Sequence, residues 1–317
     1  MAAFTKLFYD DSEVRSSGFS PQSLIMRLPD FYNRGKKPII SFEVFPPKTD
    51  PAYDHLRSIL PELVSLKPDY MTVTYGAFGS TRGRTLEIAS MIQKDFGIPT
   101  ACHLTCVGSS RDDINKILDD IQNAGVQNIV ALRGDPPSGE MAFVKPADGF
   151  GNANELVAHI RSRHANKFGI AVAGYPEKHV EAPNMQTDLA NLARKVKAGA
   201  DAVITQLFYN NADFFKFADS ARALGVNVPI IPGLLPILSA KQIVRILGLC
   251  GSCLPDGLRK DLDAAGEDAQ KAEEIGIRQC VTQARELIAR GVPGIHFYVL
   301  NKSAHMTRIM RELALKP

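Results

Sequence analysis

Apolar and polar positions along the chain follow two rhythms. Short apolar runs, rich in Val, Ile and Tyr and too brief for isolated helices, recur about every thirty to forty residues, the spacing of strand-helix units. They predict strands at 38–45, 69–75, 99–104, 127–132, 169–174, 201–207, 228–232 and 294–299. Between them the apolar positions step with helical spacing. Leu189, Leu192 and Val196 fall at i, i+3 and i+7 within 184–198, and Ile114, Ile117, Leu118 and Ile121 form a stripe within 111–124. Glycines at 125, 199, 225 and 291 stand where such helices should stop, just before the next strand. The segment 250–292 is longer than one crossover needs and predicts two extra helices, 255–263 and 267–290, before the last strand.

Eight such alternations fit an α/β fold of the closed kind, a (β/α)8 TIM-type barrel. An open doubly wound sheet would more commonly show five or six strands and a Gly-x-Gly-x-x-Gly turn, and no strand here is followed by one. Without an internal repeat or a Pro/Ser-rich linker, the 317 residues are expected to form an N-terminal extension, 1–37, and one barrel domain, 38–317. The extension's Ser-Leu-Ile-Met-Arg-Leu stretch suits a short helix over one end of the barrel.

A net charge of +3, with no dense basic block interleaved with aromatics, points to small-molecule partners and away from nucleic acid. Five cysteines, few and odd in number, fit the reduced thiols of a cytoplasm better than a secreted disulfide framework. Cys250-Gly-Ser-Cys253 has redox or zinc spacing, but no second pair accompanies it, so no metal is expected. Neither a signal peptide nor a membrane span is readable at the amino terminus.

Barrels of this kind carry their reactive groups at the carboxyl ends of the strands, and those ends are unusually polar here. Glu43 sits among Phe42, Val44 and Phe45, where desolvation should raise its pKa and suit it to general acid work. It reads alternatively as a buried Glu paired with a cation. Asp135, on a loop after Arg133 and Gly134, should stay ionised, or it simply makes a turn before Pro136. Asp188, Asn191 and Lys195 recur along one helix face beside Arg194, as a ligand-binding stripe or as solvated surface. His103 and His179 stand open between structural and chemical roles.

Taken together, Phe42-Glu43-Val-Phe-Pro-Pro-Lys48, Val73-Thr74-Tyr75-Gly76, His103-Leu-Thr-Cys106, Asn128-Ile-Val-Ala-Leu-Arg-Gly-Asp-Pro136, Val172-Ala-Gly-Tyr-Pro-Glu177, Ile204-Thr-Gln-Leu-Phe208, Ile231-Pro-Gly233 and His296-Phe-Tyr-Val-Leu-Asn301 resemble the ordered signature of the methylenetetrahydrofolate reductases. The resemblance runs from about residue 38 to the end. It implies an FAD-containing barrel that passes hydride from NADH or NADPH to 5,10-methylenetetrahydrofolate by ping-pong transfer, giving 5-methyltetrahydrofolate. On the same basis Glu43 is the general acid that opens the imidazolidine ring to an iminium, and Asp135 is the charge that stabilises it.

Gln206, Tyr298 and Lys302 then match substrate contacts. Thr74, Tyr75, Ala77, His103, Arg133, Gly134, Asp135, Tyr175, His179, Asp188, Asn191, Arg194 and Lys195 match FAD contacts. Two positions depart from the family pattern: Lys302 replaces the usual Arg, losing a bidentate fork, and Asn152 stands where an aromatic residue is common. The chain stops soon after the barrel, so inhibition by S-adenosylmethionine through a carboxyl-terminal domain is not expected; a homo-oligomer is. Rival readings are another flavin barrel, such as a proline dehydrogenase-like oxidase, a folate-linked methyltransferase, or a non-catalytic flavin- or folate-binding protein.

Overall fold

Every position of Tyr70–Val73 and Thr100–Thr105 is buried, because strands with helices on one face and other strands' side chains on the second have no wet side. The computed structural model describes residues 26–35, 37–75, 82–135 and 143–315, so the expectation for Ala77 lies outside the described residues. In chain order the elements are α1 (Leu28–Tyr32), β1 (Ile39–Val44), α2 (Asp50–Ser65), β2 (Tyr70–Val73), α3 (Arg82–Phe96), β3 (Thr100–Thr105), α4 (Arg111–Asn123), β4 (Asn128–Leu132) and α5 (Ala153–His164). There follow β5 (Gly169–Gly174), α6 (Met185–Lys197), β6 (Ala202–Thr205), α7 (Asn211–Ala223), β7 (Ile230–Ile231), β8 (Gly233–Leu234), α8 (Ala240–Cys250), α9 (Asp256–Ala265), α10 (Ala269–Ala289), β9 (Gly294–Tyr298) and α11 (Ala304–Leu313).

The strand order is β7-β6-β5-β4-β3-β2-β1-β9-β8, with every pairing parallel. β7 and β8 are the two halves of the barrel's seventh strand, one hydrogen-bonded to β6 and the other to β9, so the ring closes as a (β/α)8 barrel. The expected single strand at 228–232 is therefore corrected. Pro232 has no N–H to donate and interrupts the ladder, although its carbonyl still accepts from the His296 amide at 3.0 Å. The two extra helices before the last strand are α9 and α10.

The helices start where local chemistry tells them to. Ser110 caps α4 in a reciprocal capping box with Asp113, and the Asn184 side chain accepts from the Thr187 amide at the start of α6. One apolar cluster fills the space between strands and helices, and a second fills the barrel interior. The interior cluster is completed by α1, which covers the amino ends of the strands. The Leu28 amide donates to Asn128 Oδ1 at 2.7 Å, and Asn128 Nδ2 donates to the Met26 carbonyl at 2.8 Å. Leu28 is fully buried there, worth about 1.5–3 kcal/mol of apolar transfer.

Candidate active site

The inward-facing residues divide the barrel lumen into two unlike halves. On β4, β5, β6 and β7, apart from Asn128 at the amino end of β4, they are apolar, among them Val130, Ala171, Ala202, Ile204 and Ile231. On β1, β2, β3 and β9 they include Ser41, Glu43, Thr72, His103, His296 and Tyr298. Side chains two apart on a strand share a face, and the register places Ser41 and Glu43 on β1 opposite His296 and Tyr298 on β9, with Thr72 beside Glu43 on β2.

Three groups converge on one oxygen of Glu43. Thr72 Oγ1 donates to Oε2 at 3.0 Å, His296 Nε2 lies 3.2 Å from it and His103 Nε2 lies 3.0 Å from it. Burial pushes the Glu43 carboxyl up, but the charges and hydrogen bonds of His103 and His296 outweigh it and hold the carboxyl below the usual carboxylate range. The expected upward shift is thus corrected. Desolvation was legible in the apolar neighbours of Glu43 in sequence, whereas its partners come from strands 60 and 253 residues away.

Glu43 opens onto a cavity of about 440 Å³ at the carboxyl mouth, which His103, Arg133, Gly134, Asp135, Tyr175, His179, Gln206 and Tyr298 also line. Both candidate carboxylates therefore face one recess. Tyr298 is fixed by donating its hydroxyl proton to the Thr205 carbonyl at 2.7 Å. Gly233 makes room for it, since a Cβ there would lie 2.2 Å from that carbonyl oxygen and 2.8 Å from the Tyr298 hydroxyl. The Gln206 side-chain oxygen accepts from the Leu207 amide at 2.9 Å. Arg133 forms a bidentate pair with Glu181, at 2.5 and 2.6 Å, which pins its guanidinium to the loop after β5.

A second recess of about 280 Å³ shares Arg133, Tyr175 and His179 with the first and adds Asn152, Asp188, Asn191, Arg194 and Lys195. The stripe predicted on 184–198 is therefore a cleft wall. Burial pushes the Lys195 ammonium down to about 8, with the Asp188 charge opposing, and Lys195 Nζ donates to the Ala173 carbonyl at 2.5 Å. Asp188 Oδ2 accepts from the His179 amide at 3.0 Å, and the Tyr175 and His179 rings meet edge to face at 4.7 Å. A cationic trio beside amide and carboxylate oxygens fits a ligand carrying diphosphate and sugar hydroxyls.

The remaining expected residues lie elsewhere. Tyr75 lines a small separate pocket of about 110 Å³ behind His103. Thr74 follows β2, its amide donating to the Val44 carbonyl, and lines neither recess. Lys302 is exposed on the turn after β9 and lines neither. Sequence reasoning assigned no role to His296, Thr72 or Glu181. The first two were signalled only by the period of two that puts them in the lumen, and Glu181 by nothing local.

A closed parallel barrel whose carboxyl mouth gathers two carboxylates and a cationic cleft in one continuous recess has the build of a β/α-barrel enzyme. The sequence profile of the methylenetetrahydrofolate reductases matches residues 28–314. A curated methylenetetrahydrofolate reductase (NADH) 1 of Arabidopsis thaliana is 40% identical over 87% of the chain, which spans 48% of that relative. The 5,10-methylenetetrahydrofolate reductase of Escherichia coli is 36% identical over 88% of the chain and 91% of its own length. The chain belongs to the methylenetetrahydrofolate reductase family, and it spans about half the length of its plant relatives. Among solved structures, a Clostridium thermocellum protein that binds two copies of 5-methyl-5,6,7,8-tetrahydrofolic acid shares the fold, with a TM-score of 0.59 at 17% identity, covering 90% of this chain and 96% of that one.

Proposed function

We propose that the chain reduces 5,10-methylenetetrahydrofolate to 5-methyltetrahydrofolate, with FAD as resident cofactor and NADH or NADPH as donor, in two separate half-reactions. The observation that carries this reading is the single recess lined by Glu43 and Asp135 and continuous with the Arg133, Arg194 and Lys195 cleft, in a chain of this family. Arg133, Arg194 and Lys195 would hold the diphosphate of FAD, and Asp188 and Asn191 its sugar hydroxyls. Bound there, FAD would supply the means of accepting hydride from one substrate and giving it to the other.

The chain's own residues do the rest. Glu43 moves a proton to the bridging amine nitrogen of the folate, which opens the five-membered ring. Asp135, exposed at the rim, places a negative charge where the ring-opened cation develops. Gln206 and Tyr298 orient the pterin between the apolar wall of Ile204, Leu207 and Leu235 and the carboxylates.

Anaerobic half-reactions test the assignment. Purified protein should be yellow, bleach with reduced nicotinamide and recolour with methylenetetrahydrofolate. Glu43→Gln should leave the bleaching rate within about twofold while slowing recolouring by about 10²- to 10⁴-fold, the usual contribution of a positioned acid. Equal damage to both half-reactions, or protein that never retains flavin, would sink the reading.

A further inference from the structure

Where β1 and β9 run out at the mouth, a side chain carries their ladder one step further. The Val299 amide donates to the Glu43 carbonyl at 3.1 Å, continuing the register in which Glu43 faces Tyr298. In a parallel ladder the next two bonds would join the Phe45 amide to the Val299 carbonyl and the Asn301 amide to the Phe45 carbonyl. The Asn301 side chain serves both Phe45 groups instead. Its Oδ1 accepts from the Phe45 amide at 3.0 Å, and its Nδ2 donates to the Phe45 carbonyl at 2.8 Å. A carboxamide of this length reproduces a peptide unit; an Asp lacks the donor.

The main chain, released from the ladder, folds back on itself. The Val299 carbonyl accepts from the Lys302 amide at 3.2 Å and closes a tight turn around Leu300 and Asn301. Their φ angles are 56° and 52°, the left-handed pair of a type I′ turn, whose favoured sequence is Asn-Gly. Asn tolerates that region, but a Leu there is strained. Strain of this kind persists where surrounding contacts over-determine it, and it gathers at functional sites. Here the turn seats Leu300 in the wall of the 440 Å³ cavity beside Leu207, Leu235 and Ile246.

We infer that Asn301 is a positioning residue for the folate: its carboxamide holds the strained turn that keeps Leu300 against bound methylenetetrahydrofolate. Asn301 is itself buried and lines neither recess, so it acts through Leu300. The two bonds to Phe45 also tie this stretch of wall to β1, two residues beyond Glu43, which fixes the substrate's seat relative to the carboxyl group. The inference rests on the reading of the mouth as a folate site.

The test uses Asn301→Asp, which keeps the size and sets a carboxylate oxygen against the Phe45 carbonyl. Asn301→Gly is the second variant, since it suits the left-handed backbone and loses both bonds. Calorimetry gives the Kd for 5-methyltetrahydrofolate, and FAD-loaded enzyme gives KM, kcat and the bleaching rate at saturating NADH. Both variants should weaken Kd and raise KM for methylenetetrahydrofolate by about tenfold, the equivalent of one lost buried hydrogen bond. Flavin content, kcat and bleaching should stay within about twofold. Leu300→Asn, which relieves the strain and removes the apolar side chain, should weaken Kd as much without lowering the melting temperature. Unchanged Kd in both Asn301 variants, wild-type Kd in Leu300→Asn, or equal slowing of both half-reactions overturns the inference. A wild type that bleaches but never recolours with methylenetetrahydrofolate would instead fail the functional reading, so the two failures are told apart.

Discussion

Glu43 carries two opposed influences, and the balance between them was not readable from its neighbours in sequence. Phe42, Val44 and Phe45 announce burial; His103 and His296 reverse its consequence. In the proposed role of proton donor, a carboxylate held ionised in the free chain would have to gain its proton when the ligands arrive. Lys195 presents the complementary case. Its ammonium is pushed down to about 8 by burial, against an ordinary value of 10.5. The folded chain therefore gives up this proton before the unfolded chain does, and the stability linked to Lys195 rises as pH climbs from about 8 toward 10.5. A diphosphate beside Lys195 restores the charged form. FAD binding near about pH 9 should then take up close to one proton, read from titration heats in buffers of different ionisation enthalpy. Lys195→Met should abolish that uptake, and an uptake unchanged in the variant would remove Lys195 from the anion cleft.

At the scale of elements, boundaries follow local signals closely where a cap or a glycine supplies them. The predicted 111–124 and 184–198 became Arg111–Asn123 and Met185–Lys197, each with a side-chain cap at its start. Strand seven departs because pairing decided it: Ile230–Ile231 serves β6, Gly233–Leu234 serves β9, and Pro232 separates them. The split matters to the recess, since Gly233 brings its backbone against Tyr298. Gly233→Ala should force the phenol off the Thr205 carbonyl. We expect about 1–3 kcal/mol lost, as overpacking costs, and a raised KM for methylenetetrahydrofolate with bleaching by nicotinamide little changed. A variant with wild-type melting and KM would show that this close approach is relieved without moving Tyr298.

For the molecule as a whole, α1 closes the amino end of the barrel, packing Met26, Leu28 and Phe31 under the lumen while Tyr32 meets Tyr70. Leu28→Ala should cost about 2–5 kcal/mol in urea unfolding, the range for emptying a fully buried site. A loss under about 0.5 kcal/mol, typical of surface positions, would mean that α1 is not part of the cooperative core. The sequence by itself determined the class of fold, since strand and helix periods and terminal glycines are local properties that repeat whatever their neighbours do. It also brought the mouth residues into view, because a barrel presents its strand ends at one face. Only the tertiary structure decided which of them meet. Glu43 finds His296 across 253 residues and Arg133 finds Glu181 across 48, and no pattern confined to adjacent positions encodes those distances. Charge state depends on such through-space partners, which exist only once β1 and β9 lie side by side and the ring is closed.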